Sequence, residues 1–149
     1  MTDVAILCDA LCHVLGNTCR IIRTTRSYEW NVSGRGAELA RQCFCEHATE
    51  QQRTVERFAY HIIGLRGSPI LDYSDEVLEV DPPTKHDIPS LRVMVERLCR
   101  GHAQADTSVN AAADLAREFS ETATVNLLVS QSEMHRLHNR RLELLRGDT

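Results

Sequence analysis

The sequence predicts an all-α fold in which four long helices form a bundle. Apolar residues recur at steps of three and four along most of the chain, as on one face of a helix. Helix breakers are few, with four prolines and seven glycines, and aromatic residues make up only 5%. A chain of 149 residues is long enough to bury one core. We therefore expect a single all-α domain over residues 1–149.

The first two predicted helices run from about 3 to 32 and from about 36 to 65. Ser33 and Gly34 end the first helix, and the second begins almost at once, so the two must form an antiparallel hairpin. The second helix ends in the stretch 64–69, where glycines suit the cap and Pro69 follows.

The middle of the second helix, residues 46–54, is strongly polar. Such a stretch is stable in a helix when it faces water or an aqueous cavity. Possible donors for a metal lie along this helix at Glu46, His47, Glu50 and His61, but their spacing spreads them around the cylinder. We expect a solvated or cavity-facing stretch, with a metal site as the alternative.

Residues 70–87 form a long connection. Residues 74–78 predict a short helix with Ser74 as its N-cap, and Pro82 and Pro83 prevent it from continuing. A crossover of this length lets the third helix lie parallel to the second, unlike a simple up-and-down bundle.

The third helix is predicted to start at residues 87–89, with Pro89 in its first turn, and the fourth at residues 120–121. On these helices we expect His102 and His135 to make interhelical or intersubunit hydrogen bonds. His135 and His138 lie three apart on one face. We interpret them as a surface pair, with a transition-metal pair as the alternative.

Charge and composition narrow the classes of function. The net charge is −4, the only lysine is Lys85, and no polybasic arm is present, which argues against DNA as the main partner. The first residues lack the basic region followed by an apolar one that a signal peptide would have. From the sequence we expect no apolar run long enough to span a bilayer. We expect a cytoplasmic protein without a membrane partner.

Six cysteines are present, but no CxxC pair that would nucleate a zinc site. We interpret them as small buried hydrophobic residues in a reducing compartment, with a redox or metal role as the alternative.

The segment 28–34, Tyr-Glu-Trp-Asn-Val-Ser-Gly, resembles the signature Tyr-His-Trp-Asn-Val-Thr/Ser-Gly of the Dps family of mini-ferritins. The end of the second helix, residues 58–69, and parts of the last two helices resemble the same family more loosely. The resemblance covers nearly the whole chain. It implies a ferritin-like four-helix bundle with a long crossover that carries a short helix between helices 2 and 3.

The family implies a function as well as a fold. Its members assemble twelve subunits into a hollow shell, oxidise ferrous iron between subunits, store ferric mineral and protect the cell from oxidative stress. By this resemblance the chain is a subunit of a homo-oligomer, a dodecamer, that binds and stores iron. Many members also shield DNA, but twelve copies of this chain would bring about −48 charges, which DNA repels.

Most of the family's iron-ligand positions are substituted in this chain. The first histidine is replaced by Glu29, the second by Arg41 and an aspartate position by Cys45, while the bridging aspartate corresponds to Glu56 and a glutamate to Tyr60. Only Glu29 and Glu56 still offer hard anionic oxygens, so these two are the candidate iron ligands. Iron binding at the intersubunit site is therefore expected to be weak or absent.

The permanent charge of Arg41 repels ferrous iron. We hypothesise that its guanidinium pairs with Glu29, Glu56 or both in the place of iron. Trp30 and Tyr28 are expected to pack at the same subunit contact, beside the site.

Two further features bear on iron. Glu118 and Glu121, near the start of the fourth helix, are candidates for an acidic entry pore on a threefold axis, although a solvated helix start favoured by the helix dipole explains them as well. The Glu-x-x-His motif of ordinary ferritins is absent.

Two functions remain open at this stage. The first is an iron-storage mini-ferritin with an altered intersubunit ferroxidase site. The second is a non-catalytic shell or scaffold protein of the same fold in which Arg41 replaces the metal. An unrelated interaction bundle is a third alternative.

Overall fold

The computed structural model describes residues 2–71 and 83–147, and this part of the chain contains four helices. They are α1 (Asp3–Asn31), α2 (Ala37–Gly64), α3 (Leu91–Glu118) and α4 (Thr122–Gly147). The predicted four-helix bundle is confirmed. The short helix predicted at residues 74–78 lies outside the described residues.

Local sequence sets where the helices begin. The Thr2 hydroxyl accepts a hydrogen bond from the Ala5 N–H at 3.1 Å, and the Ser90 hydroxyl accepts one from Val93 at 3.4 Å, so each serves as an N-cap. The predicted start of the third helix at 87–89 was therefore too early, because Pro89 precedes the cap instead of lying in the first turn. In the α1–α2 turn, Gly34 and Gly36 adopt φ angles of +87° and +80°, which favour glycine.

Contacts between helices give their directions. His47 in α2 stacks on His138 in α4, and His61, further along α2, meets Thr124, nearer the start of α4. These two helices are therefore antiparallel. The α3–α4 pair is also antiparallel, because it meets at 99 and 139, at 102 and 135, and at 106 and 132. It follows that α2 and α3 run parallel, as the long crossover predicts.

The apolar core has two halves, one at each end of the bundle. One half contains Ile21, Tyr28, Val32, Ala37, Ala40, Phe44, Leu91, Met94, Val95, Leu98, Ala105, Leu142 and Leu145. The other contains Leu7, Cys8, Leu11, Val14, Leu15, Phe58, Ile62, Val109, Ala112, Ala113, Ala116 and Leu128. A buried polar layer separates the two halves, and it contains side chains from all four helices, including Asn17, Thr18, His47, Gln51, His102, Gln131, His135 and His138.

Helix α1 is more apolar than the sequence analysis allowed. It is the one described helix long and apolar enough to cross a membrane, with a mean hydropathy of 1.4 over its most apolar stretch. Because 56% of that stretch is buried inside the bundle, the apolar residues serve the core. All six cysteines are free; Cys8 is buried and the others are partly buried.

Candidate functional site

A surface cavity of about 400 Å³ lies beside the end of α1 and the first turns of α2. Its lining residues are Glu29, Glu38, Arg41, Gln42, Cys45 and Glu46. The structure thus brings together three of the residues that the sequence assigned to the altered iron site, namely Glu29, Arg41 and Cys45. The cavity contains more carboxylates than cations along its wall, but the contacts of Glu29 decide what it can bind.

The Glu29 carboxylate is bound by Arg26, a residue that the sequence analysis did not single out. Arg26 Nη1 donates to Glu29 Oε1 at 2.9 Å and to Cys45 Sγ at 3.5 Å, and its Nη2 donates to the Thr49 hydroxyl at 3.2 Å. The hydrogen bond to Glu29 raises the pKa of Arg26. The i,i+3 spacing of Arg26 and Glu29 on a predicted helix was the available signal.

Within the subunit, Arg41 binds backbone carbonyls and a different carboxylate. Its Nε donates to the Glu29 carbonyl oxygen at 3.3 Å and its Nη2 to the Val32 carbonyl at 2.9 Å, while Nη1 contacts Glu38 Oε2 at 3.1 Å. Arg41 therefore satisfies carbonyls at the end of α1 that have no helical partner. Its pairing with the Glu29 carboxylate, with Glu56 or with both, across a subunit contact, stays a prediction.

Glu56 and Tyr60 lie away from this cavity. Both are exposed on α2, Tyr60 to 74%, and they follow Cys45 by 11 and 15 residues. At a rise of 1.5 Å per residue these positions are about 16 and 22 Å further along the helix. One subunit therefore does not bring Glu56 to Glu29, and only a contact between subunits can do so. Trp30, beside Glu29, is 70% exposed. The expected place of Tyr28 at a subunit contact is wrong, because its side chain is buried in the core of the bundle.

The two pore candidates lie at the opposite end of the bundle. Glu121 directly precedes α4, whereas Glu118 is the last residue of α3 and is not at a helix start. The helix dipole disfavours a carboxylate at that terminus, so the dipole does not explain Glu118 as the sequence analysis suggested. Their position on a threefold axis stays a prediction.

The buried polar layer contains four histidines that we call the histidine layer, namely His47 on α2, His102 on α3, and His135 and His138 on α4. None is more than 2% exposed. The prediction that residues 46–54 face water or an aqueous cavity is wrong for His47, Gln51 and Thr54, which are buried inside the bundle. The surface interpretation of His135 and His138 is also wrong, because both point into the bundle.

The four rings touch one another across three helices. His102 Nδ1 lies 2.8 Å from His135 Nδ1, which confirms the expected interhelical hydrogen bond. The His47 and His138 rings stack with centroids 3.9 Å apart and planes 9° apart. His102 also meets His138 edge-on at 5.5 Å. The layer is therefore one continuous cluster.

Two buried glutamines and one glutamate connect the rings. Gln51 Nε2 lies 3.1 Å from His138 Nδ1, and Gln131 Nε2 lies 2.9 Å from Gln51 Oε1 and 3.1 Å from His135 Nε2. On the outer side, His138 Nε2 lies 3.1 Å from Glu50 Oε2. Arg141 Nη1 donates to the other Glu50 oxygen at 3.2 Å.

Burial keeps the four rings neutral near pH 7. It lowers the pKa of His47 to about 3 and that of His135 to about 4, with the neighbouring His138 adding to both shifts. Burial also lowers the pKa of His138, and that of His102 well below its usual range. Burial alone would raise the pKa of Glu50, but the hydrogen bonds and charges of His138 and Arg141 outweigh it and lower that pKa.

Neither the cavity nor the histidine layer is a preformed metal site. Among residues 2–71 and 83–147, no three His, Cys, Asp or Glu side chains are arranged to hold a metal ion. The His102 and His135 nitrogens that face each other share a hydrogen bond instead.

A pattern in the sequence could have revealed the histidine layer. Positions 44, 47, 51, 54 and 58 of α2, and 128, 131, 135, 138 and 142 of α4, follow alternating steps of three and four. These steps mark the core-facing seam of each helix. Polar residues in the middle of both seams therefore indicate a buried polar layer rather than a solvated face.

The sequence matches the family model of the ferritin-like domain over residues 8–149. A search of curated protein sequences finds no significant match. Among solved structures, DpsC from Streptomyces coelicolor has a TM-score of 0.87 at 23% identity, with 100% of this chain and 88% of that chain covered.

Two other solved structures are similar to the same extent. An archaeal Dps homologue from Halobacterium salinarum has a TM-score of 0.87 at 18% identity, covering 99% of this chain and 82% of that one. A dodecameric thioferritin from Bacteroides fragilis has a TM-score of 0.86 at 19% identity, with 97% and 86% covered.

Proposed function

The chain belongs to the ferritin-like domain family and has the fold of the Dps mini-ferritins, and on this basis we propose that it is a subunit of a hollow shell that binds and stores iron. Oxidation of ferrous iron at the contact between subunits is slow or absent. One observation carries this second point: the Glu29 carboxylate is bound by the Arg26 guanidinium.

Exposed apolar side chains support the assembly. Five large apolar residues on α1, α2 and α4 are at least half exposed, namely Trp30, Leu39, Tyr60, Ile63 and Leu144. Aromatic residues are enriched at protein interfaces. Leu39 and Leu144 also line one surface cavity together. A closed homo-oligomer, with twelve subunits as in the thioferritin, would cover them.

The arginines near Glu29 argue against fast iron oxidation. Iron has to displace Arg26 from the carboxylate and to approach within range of Arg41, and both side chains are permanent cations. Storage itself does not need this site, because mineral growth requires carboxylates and an enclosed volume. Iron is thus the stored cargo of the shell, and most of it is oxidised elsewhere than at the subunit contact.

A second candidate function is a non-catalytic shell or scaffold that holds no iron. The contacts of Arg41 favour it, because the guanidinium is fixed by the Glu29 and Val32 carbonyls beside the place where the iron ligand is lost. In this case Arg41 replaces the metal by pairing with carboxylates across the subunit contact.

Oxidation kinetics test the catalytic claim. Ferrous iron is mixed with the assembled protein in the presence of oxygen or of peroxide, and ferric absorbance is followed by stopped flow. We expect a rate close to that of the spontaneous reaction in buffer. A saturable fast phase in proportion to the number of subunit contacts would contradict the proposal.

Iron retention separates the two candidate functions. The protein is loaded slowly with ferrous iron, passed through a desalting column, and analysed by sedimentation velocity with iron quantification. Storage predicts a shell with tens or more of iron atoms per shell, whereas the scaffold function predicts an empty shell. A chain that stays monomeric in sedimentation would overturn both.

A further inference from the structure

The histidine layer has a defined direction of hydrogen bonding. Gln51 Nε2 is a donor, so His138 Nδ1 has to accept, and the single proton of His138 is on Nε2, where it is donated to Glu50. This places a neutral His138 against a carboxylate. The tautomer of each ring follows from the donors and acceptors around it, because the positions of the hydrogens are inferred from the hydrogen-bond network.

The same reasoning continues through Gln131 to the other pair of rings. Gln131 Nε2 donates one hydrogen to Gln51 Oε1 and the other to His135 Nε2. His135 therefore has its proton on Nδ1 and donates it to His102 Nδ1 at 2.8 Å. Gln131 Oε1 is left buried without a donor among the described residues.

One added proton can be accommodated by reversing this network. A doubly protonated His138 donates to Glu50 and to a flipped Gln51 Oε1, and Gln51 then donates to a flipped Gln131 Oε1. His135 and His102 exchange donor and acceptor roles in turn. The reversal leaves the Gln131 NH2 group unpartnered in place of the Gln131 oxygen, so the amide flips themselves cost little free energy. The new positive charge on His138 lies beside Glu50.

A second proton cannot be accommodated in the same way, beside a carboxylate. His47 stacks on His138 at 3.9 Å, so a charge on both rings would be repulsive. His102 and His135 are hydrogen-bonded to each other, and no carboxylate of the described residues is hydrogen-bonded to either ring, although the charge of Asp106 on α3 acts on His135. The second charge is therefore buried without a paired partner, which is strongly unfavourable.

The groups that face the four rings come from three helices. They are Cys43 and Glu50 on α2, Asp106 on α3 and Arg141 on α4. Helix α1 crosses this level at the buried, uncharged Asn17 and Thr18. Among the described residues, Glu50 is the one carboxylate hydrogen-bonded to a ring, so one protonated histidine is compensated and further ones are not.

We propose that the histidine layer is an acid-operated latch, which holds α4 against α2 and α3 at neutral pH and releases it when the layer takes up a second proton. The layer lies between the two apolar halves of the core, and α4 contributes two of its four rings. Opening at this level brings water to the charged rings and leaves the apolar ends to separate afterwards.

The pH range follows from linkage. Unfolded histidine has a pKa near 6.5, so below this pH the unfolded chain binds protons that the folded layer excludes. Stability is fully present above about pH 6.5 and is lost as the pH falls. The loss due to His135 ends near its folded pKa of about 4, and that due to His47 near about 3. For each histidine that stays neutral in the folded layer but is protonated in the unfolded chain, the unfolding constant rises by up to about tenfold for every pH unit of acidification.

The test measures this proton uptake directly. Urea unfolding is followed by circular dichroism between pH 7.5 and 4.5, at fixed protein concentration and ionic strength. The slope of the logarithm of the unfolding constant against pH gives the number of protons taken up per subunit. Carboxylates with lowered pKa values contribute mainly below about pH 4.5, so the range from pH 6 to 5 reports on histidines.

We expect the wild-type protein to take up at least two protons per subunit between pH 6 and 5. The double variant His102→Leu with His135→Leu should lower this number by about two, and His47→Leu alone by about one. The exposed His86→Gln is the control and should leave it unchanged. A wild-type slope below one proton overturns the proposal even if a variant does not fold.

Hydrogen exchange tests the order of opening. Exchange rates at pH 5 and 7 are corrected for intrinsic rates and compared for peptides from the middle and the ends of each helix. The latch predicts that residues 43–54 and 128–139 lose protection first at pH 5. Equal loss along all four helices, or earlier loss at the apolar ends, would overturn it.

Discussion

At the scale of single residues, Arg26 changes what the Glu29 cavity can do. Its guanidinium contacts Glu29, Cys45 and Thr49, and so connects α1 to α2 through one side chain. The family resemblance pointed to Glu29 and Arg41 as positions where an iron ligand is expected to be replaced. The role of Arg26 was not, because its contacts on α2 are 19 and 23 residues away along the chain.

Replacing Arg26 should weaken the contact between α1 and α2. For Arg26→Gln we expect a loss of about 1 kcal/mol in the free energy of unfolding, since the pair with Glu29 is partly buried and two further bonds are lost. The control is Arg92→Gln, which removes an exposed i,i+4 pair with Glu96 and should cost less than about 0.5 kcal/mol. Equal losses in urea unfolding would contradict this ranking.

Gly67 is required by close packing. A Cβ at this position would lie 2.6 Å from Cys8 Sγ and 3.0 Å from Ile62 Cγ2. Gly67→Ala should therefore lower the free energy of unfolding by about 1–3 kcal/mol through overpacking. Adding Cys8→Ala removes the nearest atom and should recover part of that loss.

Gly64→Ala is the matched control for Gly67→Ala. Within the described part of the chain, no atom beyond its own helix and chain neighbours lies within 4 Å of the new methyl group, so this variant should be neutral or up to about 1 kcal/mol more stable. A thermal melt in which the two alanine variants behave alike would refute the packing argument at Gly67.

At the scale of elements, the four helices could be predicted because each has a regular apolar seam and a local stop or cap. The start of α3 was misplaced by a few residues, since Pro89 and Ser90 are both acceptable near a helix start and only the Ser90 hydrogen bond decides between them. The buried polar layer was misread because its partners come from other helices. Gln51, for example, meets Gln131, 80 residues away.

Arg41 stabilises the turn between α1 and α2. Arg41→Ala leaves the Glu29 and Val32 carbonyls without these donors, and we expect a loss of about 1 kcal/mol, or about 2–4 °C in melting temperature. Glu38→Ala removes only the exposed ion pair and should have little effect. If both variants melt like the wild type and assemble normally, Arg41 has neither a capping role nor an intersubunit role.

At the scale of the whole molecule, the bundle consists of two apolar halves around a polar layer, and the full chain has a net charge of −4. The fold and family could be predicted from the short motif at 28–34 together with the helix pattern. Which carboxylates meet between subunits could not be predicted, because that depends on the symmetry of the assembly rather than on one chain.

The net charge of the assembly predicts its behaviour towards DNA. Since each subunit contributes −4, a shell should be repelled by DNA at neutral pH. In a gel-shift experiment at physiological salt we expect no retarded complex. A complex that persists under these conditions would show that a local basic surface outweighs the net charge.

The contact at Glu29 is best tested by diffraction from crystals of the assembled protein soaked anaerobically in ferrous iron, with data collected at the iron absorption edge. We predict guanidinium density beside Glu29 and no anomalous peak there. A strong peak coordinated by Glu29, with Glu56 of a neighbouring subunit as a second ligand, would contradict the claim that arginine has taken the place of iron.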